Sequence, residues 1–208
     1  LLYRRGGKHS FFAGGIQGVA LVHSPLLPMH RIGSVYSGLA HASDFYPTLA
    51  LLAGVSKSTL STTGPFPVDG TDLWPLLTGK RIGNAHAELL VSGCRNSAKQ
   101  CNGAMFFGQL KLIVGKQHPS GWYGIPGKAM KNSANIKQYI AAVDDCSSAP
   151  CVFNMTADPE ERDNLAATNP GKYAALVRRF EQLSEAFVAQ DPPAPDCSKV
   201  AICDAVER

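Results

Sequence analysis

Charge is scarce in this sequence: Asp, Glu, Lys and Arg make up 17% of its 208 residues, against roughly a quarter in an average globular chain. That excludes disorder driven by charge, and 45% hydrophobic content is enough for a real core. Long apolar runs are also missing. None approaches the ~18–20 residues that span a bilayer, so no membrane partner is expected. The opening, Leu1-Leu2-Tyr3-Arg4-Arg5-Gly6-Gly7, has neither an initiator Met nor the layout of a signal peptide. It reads as sequence from the interior of a longer protein. Cysteine never occurs as C-x-x-C, and no Cys/His spacing suits a structural zinc. The length fits one full domain or two small ones.

Acidic residues are absent from residues 89–143, which carry Arg95, Lys99, Lys111, Lys116, Lys128, Lys131 and Lys137. Residues 144–208 reverse the sign, with twelve acids against six bases. The basic stretch either attracts an anion (phosphate, sulfate, a sulfated glycan, nucleic acid) or is a solvated face balanced by the acidic tail. Without a zinc-finger pattern or a tight Arg/Lys run, nucleic acid is not an expected partner.

What is there begins with six cysteines in three close pairs: Cys94/Cys101, Cys146/Cys151 and Cys197/Cys203. Such pairs, with turn formers between them, suit small disulfide loops in an oxidising compartment. Six cysteines allow about 15 connectivities, and nearest-neighbour pairing is the expectation. Asn154-Met155-Thr156 is a glycosylation sequon. Together these favour a secreted or lysosomal protein.

Along the chain, residues 8–18 form a glycine-punctuated loop, followed by Val19-Ala20-Leu21-Val22, an all-apolar run typical of a strand buried on both faces. Asp44 or Ser43 caps a helix to about Ala53, with Pro47 in its first turn and Gly54 closing it. This is α/β grammar. Residues 56–83 are loop-rich, and the domain boundary falls near Arg81–His86, giving units 1–84 and 85–208. Beyond it, short strands are expected at Glu88–Ser92, Ala104–Phe107, Leu110–Val114 and Val152–Met155, with a hairpin turn at Gly108-Gln109. Residues 115–150 read as a long excursion with a helical turn at Ile136–Val143. The clearest helix comes last: Asn169 caps, Pro170 follows, and Tyr173, Leu176, Val177, Phe180, Leu183 and Phe187 form one apolar stripe. The second unit is therefore α+β, an antiparallel sheet with a long C-terminal helix.

Several segments, in order, resemble the C-terminal half of type I sulfatases, in particular the arylsulfatase B-like branch. Lys8-x-Ser10-x-x-Ala13-Gly14-Gly15-Ile16 is similar to the family's K-x-[ST]-x-x-E-G-G-[IV] loop, with Ala13 in place of the usual Glu and Gln17 in place of a frequent Arg. His41-Ala42-Ser43-Asp44-Phe45-Tyr46-Pro47-Thr48-Leu49 looks like its H-x-S-D-x-x-P-T-L helix, and Asp69-Gly70-Thr71-Asp72-Leu73 to Gly79 its D-G-x-D-L-x-P-L-L-x-G turn. Gly108 to Ile113 and Val152 to Leu165, which includes Asp158-Pro159-Glu160-Glu161-Arg162-Asp163-Asn164, resemble two C-terminal strand motifs.

The resemblance implies the end of an alkaline-phosphatase-like α/β catalytic domain followed by the small sheet-and-helix domain. It also implies sulfate-ester hydrolysis with a formylglycine and a calcium ion. The C-x-P-x-R type motif that yields formylglycine is absent from this sequence. Nucleophile and metal ligands would then belong to a missing N-terminal half, no metal is expected on this chain, and the chain alone is expected to be inactive. One catalytic position carries over: Lys8 matches the lysine that contacts the substrate sulfate and steadies charge on the departing oxygen. Glycines 14 and 15 would let the backbone come close to that site. Asp44, Asp69, Asp72, Asp158 and Glu161 read as turn and cap residues bonding backbone N–H groups. His9, His23 and His41 show no ligand spacing. Lys116, His118 and Trp122 offer cations and an aromatic face for a sulfated carbohydrate or aryl sulfate, or form a plain surface loop. Competing readings are a non-catalytic anion-binding module on a truncated sulfatase scaffold, and a phosphate- or phosphonate-ester hydrolase of the same superfold.

Overall fold

The computed structural model describes residues 4–62, 68–94, 101–122 and 144–190. Its N-terminal part holds four short helices: α1 at Ala13–Ile16, α2 at Phe45–Leu52, α3 at Lys57–Thr62 and α4 at Trp74–Leu77. The last two lie in the stretch expected to be loop. Asp44 organises this part. Its carboxylate is fully buried and accepts from the N–H groups of His41 and Thr71, each at 2.7 Å. His86 Nε2 lies 2.8 and 2.9 Å from its two oxygens. One carboxylate thereby ties the start of α2 to the turn before α4 and to the residues that lead into the sheet.

The run Val19–Val22 differs from its expectation. It forms no strand, and Val19 and Leu21 are 92% and 87% exposed. A strand buried on both faces needs a neighbour at each edge, and none of the described residues supplies one.

The C-terminal part is a four-stranded antiparallel sheet in the order β1-β2-β3-β4, with β1 at Glu88–Ser92, β2 at Gly103–Phe107, β3 at Leu110–Gln117 and β4 at Asp144–Asn154. Phe107 pairs with Leu110 across the expected hairpin, where Gly108 takes φ 55°, a left-handed conformation glycine adopts without steric cost. Strands β3 and β4 run further than expected. Their ladder continues to Gln117↔Asp144, so residues 115–117 and 144–150 are strand and not part of an excursion. Their polar side chains gave no apolar signal, because the pairing is made by backbone groups. The register slips between Ile113↔Cys151 and Gly115↔Cys146. The disulfide Cys146–Cys151 closes the base of that irregularity. The helical turn expected at Ile136–Val143 lies outside the described residues.

Period-2 alternation gives the sheet two apolar faces. Met105, Leu112 and Val152 meet Ala166, Tyr173, Leu176 and Phe180, which come from α5 (Leu165–Thr168) and from the turn and helix α6 (Ala174–Gln190) that follow. Asn169 caps that turn as expected, accepting from the Lys172 N–H at 3.3 Å. On the other face Ala104, Ile113, Cys146, Cys151 and Phe153 pack around Phe12. The glycine-punctuated loop is thus the second cover of the sheet, and this packing fixes where Lys8 stands.

Candidate functional site

Lys8 stands at the tip of a tight turn. The Ser10 N–H donates to the Gly7 carbonyl at 2.9 Å, while Ser10 Oγ bonds the Gly7 backbone at 2.9 and 3.0 Å. Ser10 is buried by this closure, and Lys8 and His9 are left exposed. His9 has φ 76°, an uncommon conformation for a residue with a Cβ. No described residue forms an ion pair with Lys8, so its ammonium is available to an incoming anion. Gly14 and Gly15 serve the loop itself. A Cβ on Gly14 would stand 2.3 Å from the Gly6 carbonyl oxygen, and one on Gly15 would stand 2.0 Å from that of Ser10. What they permit is the loop closing on itself.

Arg5 anchors the loop at its start. It is 8% exposed, and its guanidinium donates to Ser120 O at 3.0 Å, to Glu161 O at 2.6 Å and to the Asp144 carboxylate. The rings of Phe12 and Trp122 lie 4.1 and 4.4 Å from it, a desolvated cation–π arrangement. Burial pulls the Arg5 pKa down, opposed by Asp144 and Glu161. The Gly6 N–H adds a 2.8 Å bond to Gly121 O.

Glu161 anchors it at its end. This carboxylate is fully buried, accepts the Ala13 N–H at 2.7 Å and pairs with the equally buried Lys111 ammonium. Burial lowers the Lys111 pKa, with Glu161 working against it. Two buried charges that satisfy each other avoid the large cost of an unpaired one. Sequence reasoning missed Arg5 and misread Lys111. In an acid-free stretch Lys111 looked like part of an exposed basic face, and the acid that buries it lies in the last motif of the chain. The usable signal was Glu161 itself, read as a residue bonding backbone N–H groups, which it is.

No protein-family model matches the chain. Among curated proteins it is 28% identical to mouse "Arylsulfatase J", over 92% of this chain and 33% of that protein. It is also 28% identical to mouse "Steryl-sulfatase", over 92% of this chain and 29% of that protein. Over most of its length the chain is thus similar to sulfatases. It spans about a third of the length of the curated relatives it matches. Among solved structures, a chain described under metabolism of multiple glycosaminoglycans by Bacteroides thetaiotaomicron is 18% identical with a TM-score of 0.40, covering 71% of this chain and 24% of that one. "Ps i-CgsB" is 21% identical with a TM-score of 0.40, covering 71% and 25%.

The other nominated residues separate. Trp122 pairs through its backbone with Arg5, donates its indole N–H to Glu160 O at 2.6 Å, and has the guanidinium groups of Arg5 and Arg162 4.4 and 5.1 Å from its ring. Its aromatic surface is used inside the protein, which leaves a stacked sugar little to hold. Lys116 is exposed, but Gln117 next to it turns inward and accepts the Phe11 N–H at 2.8 Å. Strand alternation therefore directs Lys116 to the opposite face from the loop. His118 is exposed, on the turn whose Ser120 and Gly121 carbonyls hold Arg5 and Gly6 at the start of the Lys8 loop. Lys128 lies outside the described residues. Asp72 accepts from Trp74 N–H and Asp158 from Asp163 N–H, both at 2.9 Å. Asn154, at the end of β4, uses Oδ1 to accept from Thr156 and Ala157. Cys94–Cys101 and Cys146–Cys151 are joined, while Cys197 and Cys203 lie outside the described residues.

Among the described residues no group of three or more His, Cys, Asp or Glu side chains is arranged to hold a cation. The described residues therefore offer no ligand set for the calcium that the sulfatase resemblance implies, and the described cysteines are joined in disulfides. An open cavity lined by His30, Arg31, Tyr36 and Arg81 shares no residue with the Lys8 loop, and both arginines already donate to backbone carbonyls. Among the described residues no helix is long and apolar enough to cross a membrane.

Proposed function

We propose that this chain forms part of a sulfuric ester hydrolase and that it delivers Lys8 to the sulfate-ester site. The observation that carries the reading is an exposed ammonium with no described ion-pair partner, on a loop closed on itself and anchored at both ends to the sheet. A sulfate ester is an anion whose leaving oxygen gains charge, and a preorganised ammonium lowers that barrier in the transition state. The substrate class is a sulfated carbohydrate or an aryl sulfate. In this reading His118 is the second residue to meet its anionic part. Formylglycine as nucleophile and calcium as its charge partner belong to the missing N-terminal half of the catalytic domain. Residues 1–84 complete that domain and 85–208 form the small C-terminal one. The two disulfides support a secreted or lysosomal setting, with Asn154 as a glycosylation site.

In the full-length protein, Lys8→Ala should lower kcat/KM by about 10²–10³ on p-nitrophenyl sulfate, the scale of losing one charge-stabilising donor. A change below about threefold would make Lys8 an ordinary surface lysine. The 208-residue chain by itself should turn over none of this substrate, and measurable turnover would refute the assignment of the nucleophile to sequence elsewhere.

A further inference from the structure

We propose that Glu161 is a positioning residue for Lys8, an inference that rests on the role given to Lys8 above. One residue grips both ends of the segment that carries the lysine. Its backbone carbonyl accepts from Arg5 at 2.6 Å, and its carboxylate accepts from the Ala13 N–H at 2.7 Å. The other carboxylate oxygen is held by Lys111 on β3, so the grip is referred to the sheet and not to a neighbouring loop. The Phe11 N–H, bonded to the buried Gln117 side chain at 2.8 Å, is a second tie to the same strand. Glu161 takes φ 58°, left-handed backbone that a residue with a Cβ keeps only where its surroundings impose it. Nothing in a plain buried ion pair requires that conformation. Here it turns carbonyl and carboxylate together toward the loop.

An ammonium on a loose turn is a diffuse charge. Held within about half an ångström, it can be aimed at one oxygen, and displacement by about 1 Å costs up to about a hundredfold in rate. Lys111 supplies the counter-charge that orients the Glu161 carboxylate and offsets the cost of burying it.

Two double variants separate positioning from mere stability. Replacing both members of a buried pair with apolar residues usually leaves a fold about as stable. Lys111→Met with Glu161→Met removes the acceptor of the Ala13 N–H, whereas Lys111→Met with Glu161→Gln keeps a carbonyl oxygen for it. In the full-length protein acting on p-nitrophenyl sulfate, the first should lose at least about tenfold in kcat with KM within about twofold. The second should recover to within about threefold of wild type. Equal kcat in wild type and the folded first variant, with Lys8→Ala still impaired, would overturn the positioning role alone. An unimpaired Lys8→Ala would remove the catalytic reading and this inference with it. A further readout needs no variant and no activity. Hydrogen exchange of the Ala13 amide in the 208-residue chain should be as slow as that of core strand amides, and exchange at the rate of an open loop would overturn the proposal.

Discussion

Gly15 shows how much of the Lys8 loop is decided atom by atom. A methyl group there would stand 2.0 Å from the Ser10 carbonyl oxygen, whereas at Gly18, just past the loop, a Cβ meets nothing within 4 Å. Gly15→Ala should therefore destabilise the chain by about 1–3 kcal/mol through overpacking against backbone that cannot yield. Gly18→Ala should stay within about 0.5 kcal/mol of wild type. Urea midpoints of the two variants check this, and equal midpoints would mean the loop relaxes freely. The motif around Lys8 was legible because its residue types have few other uses: Ser10 closes the turn and the glycines admit close backbone approach. Arg5 and Lys111 were not legible. A lysine is normally exposed, and only the fold brings Glu161 within hydrogen-bond reach of it.

At the level of elements, local pattern served best where the element makes its own environment. Helix α6 carries a stripe whose inward members, Leu176 and Phe180, are buried while Phe187 at its far end is 44% exposed. Phe180→Ala should cost about 3–5 kcal/mol, the range for emptying a buried aromatic site, with Phe187→Ala well below it. The same helix is clamped to β1 by Arg179, which donates to both carboxylate oxygens of Glu88. That hydrogen bonding holds the Glu88 carboxyl below its ordinary value, against partial desolvation. The native state therefore prefers the ionised form. Its contribution is complete above the unfolded carboxylate value and is lost as pH falls through the lowered folded value. Glu88→Gln should leave a flatter loss of stability between about pH 7 and pH 3 than wild type shows. Urea midpoints at the two ends measure it, and parallel curves would dismiss the clamp. Strands were legible only in part. β3 and β4 extend through Gly115, Lys116, Gln117 and Asp144 by backbone pairing that side-chain pattern does not reveal, whereas Val19–Val22 has the pattern of a strand and no described neighbour.

On the scale of the whole molecule, the exposed apolar residues are unevenly placed. Val19, Leu21, Leu26, Met29, Ile32 and Val35 are each at least 64% exposed, and all fall between the Lys8 loop and α2. The sheet buries an apolar cluster on each face, with Phe107 and Phe187 half exposed at its margins. A concentration of this kind marks a surface that is normally covered, and the chain spans about a third of its curated relatives. If the rest of a sulfatase catalytic domain covers it, Val19→Ser with Leu21→Ser should act with opposite signs in two settings. In the 208-residue chain the double substitution removes exposed apolar area and should reduce self-association, read as a shift toward monomer in sedimentation. In the full-length protein the covered positions would be buried, and the substitution should destabilise by about 3–6 kcal/mol, from the loss of two buried aliphatic side chains. Thermal unfolding of the full-length protein reads the second effect. A neutral outcome there would show that residues 19–22 stay on the surface in the complete fold, and the apolar run would then need another partner.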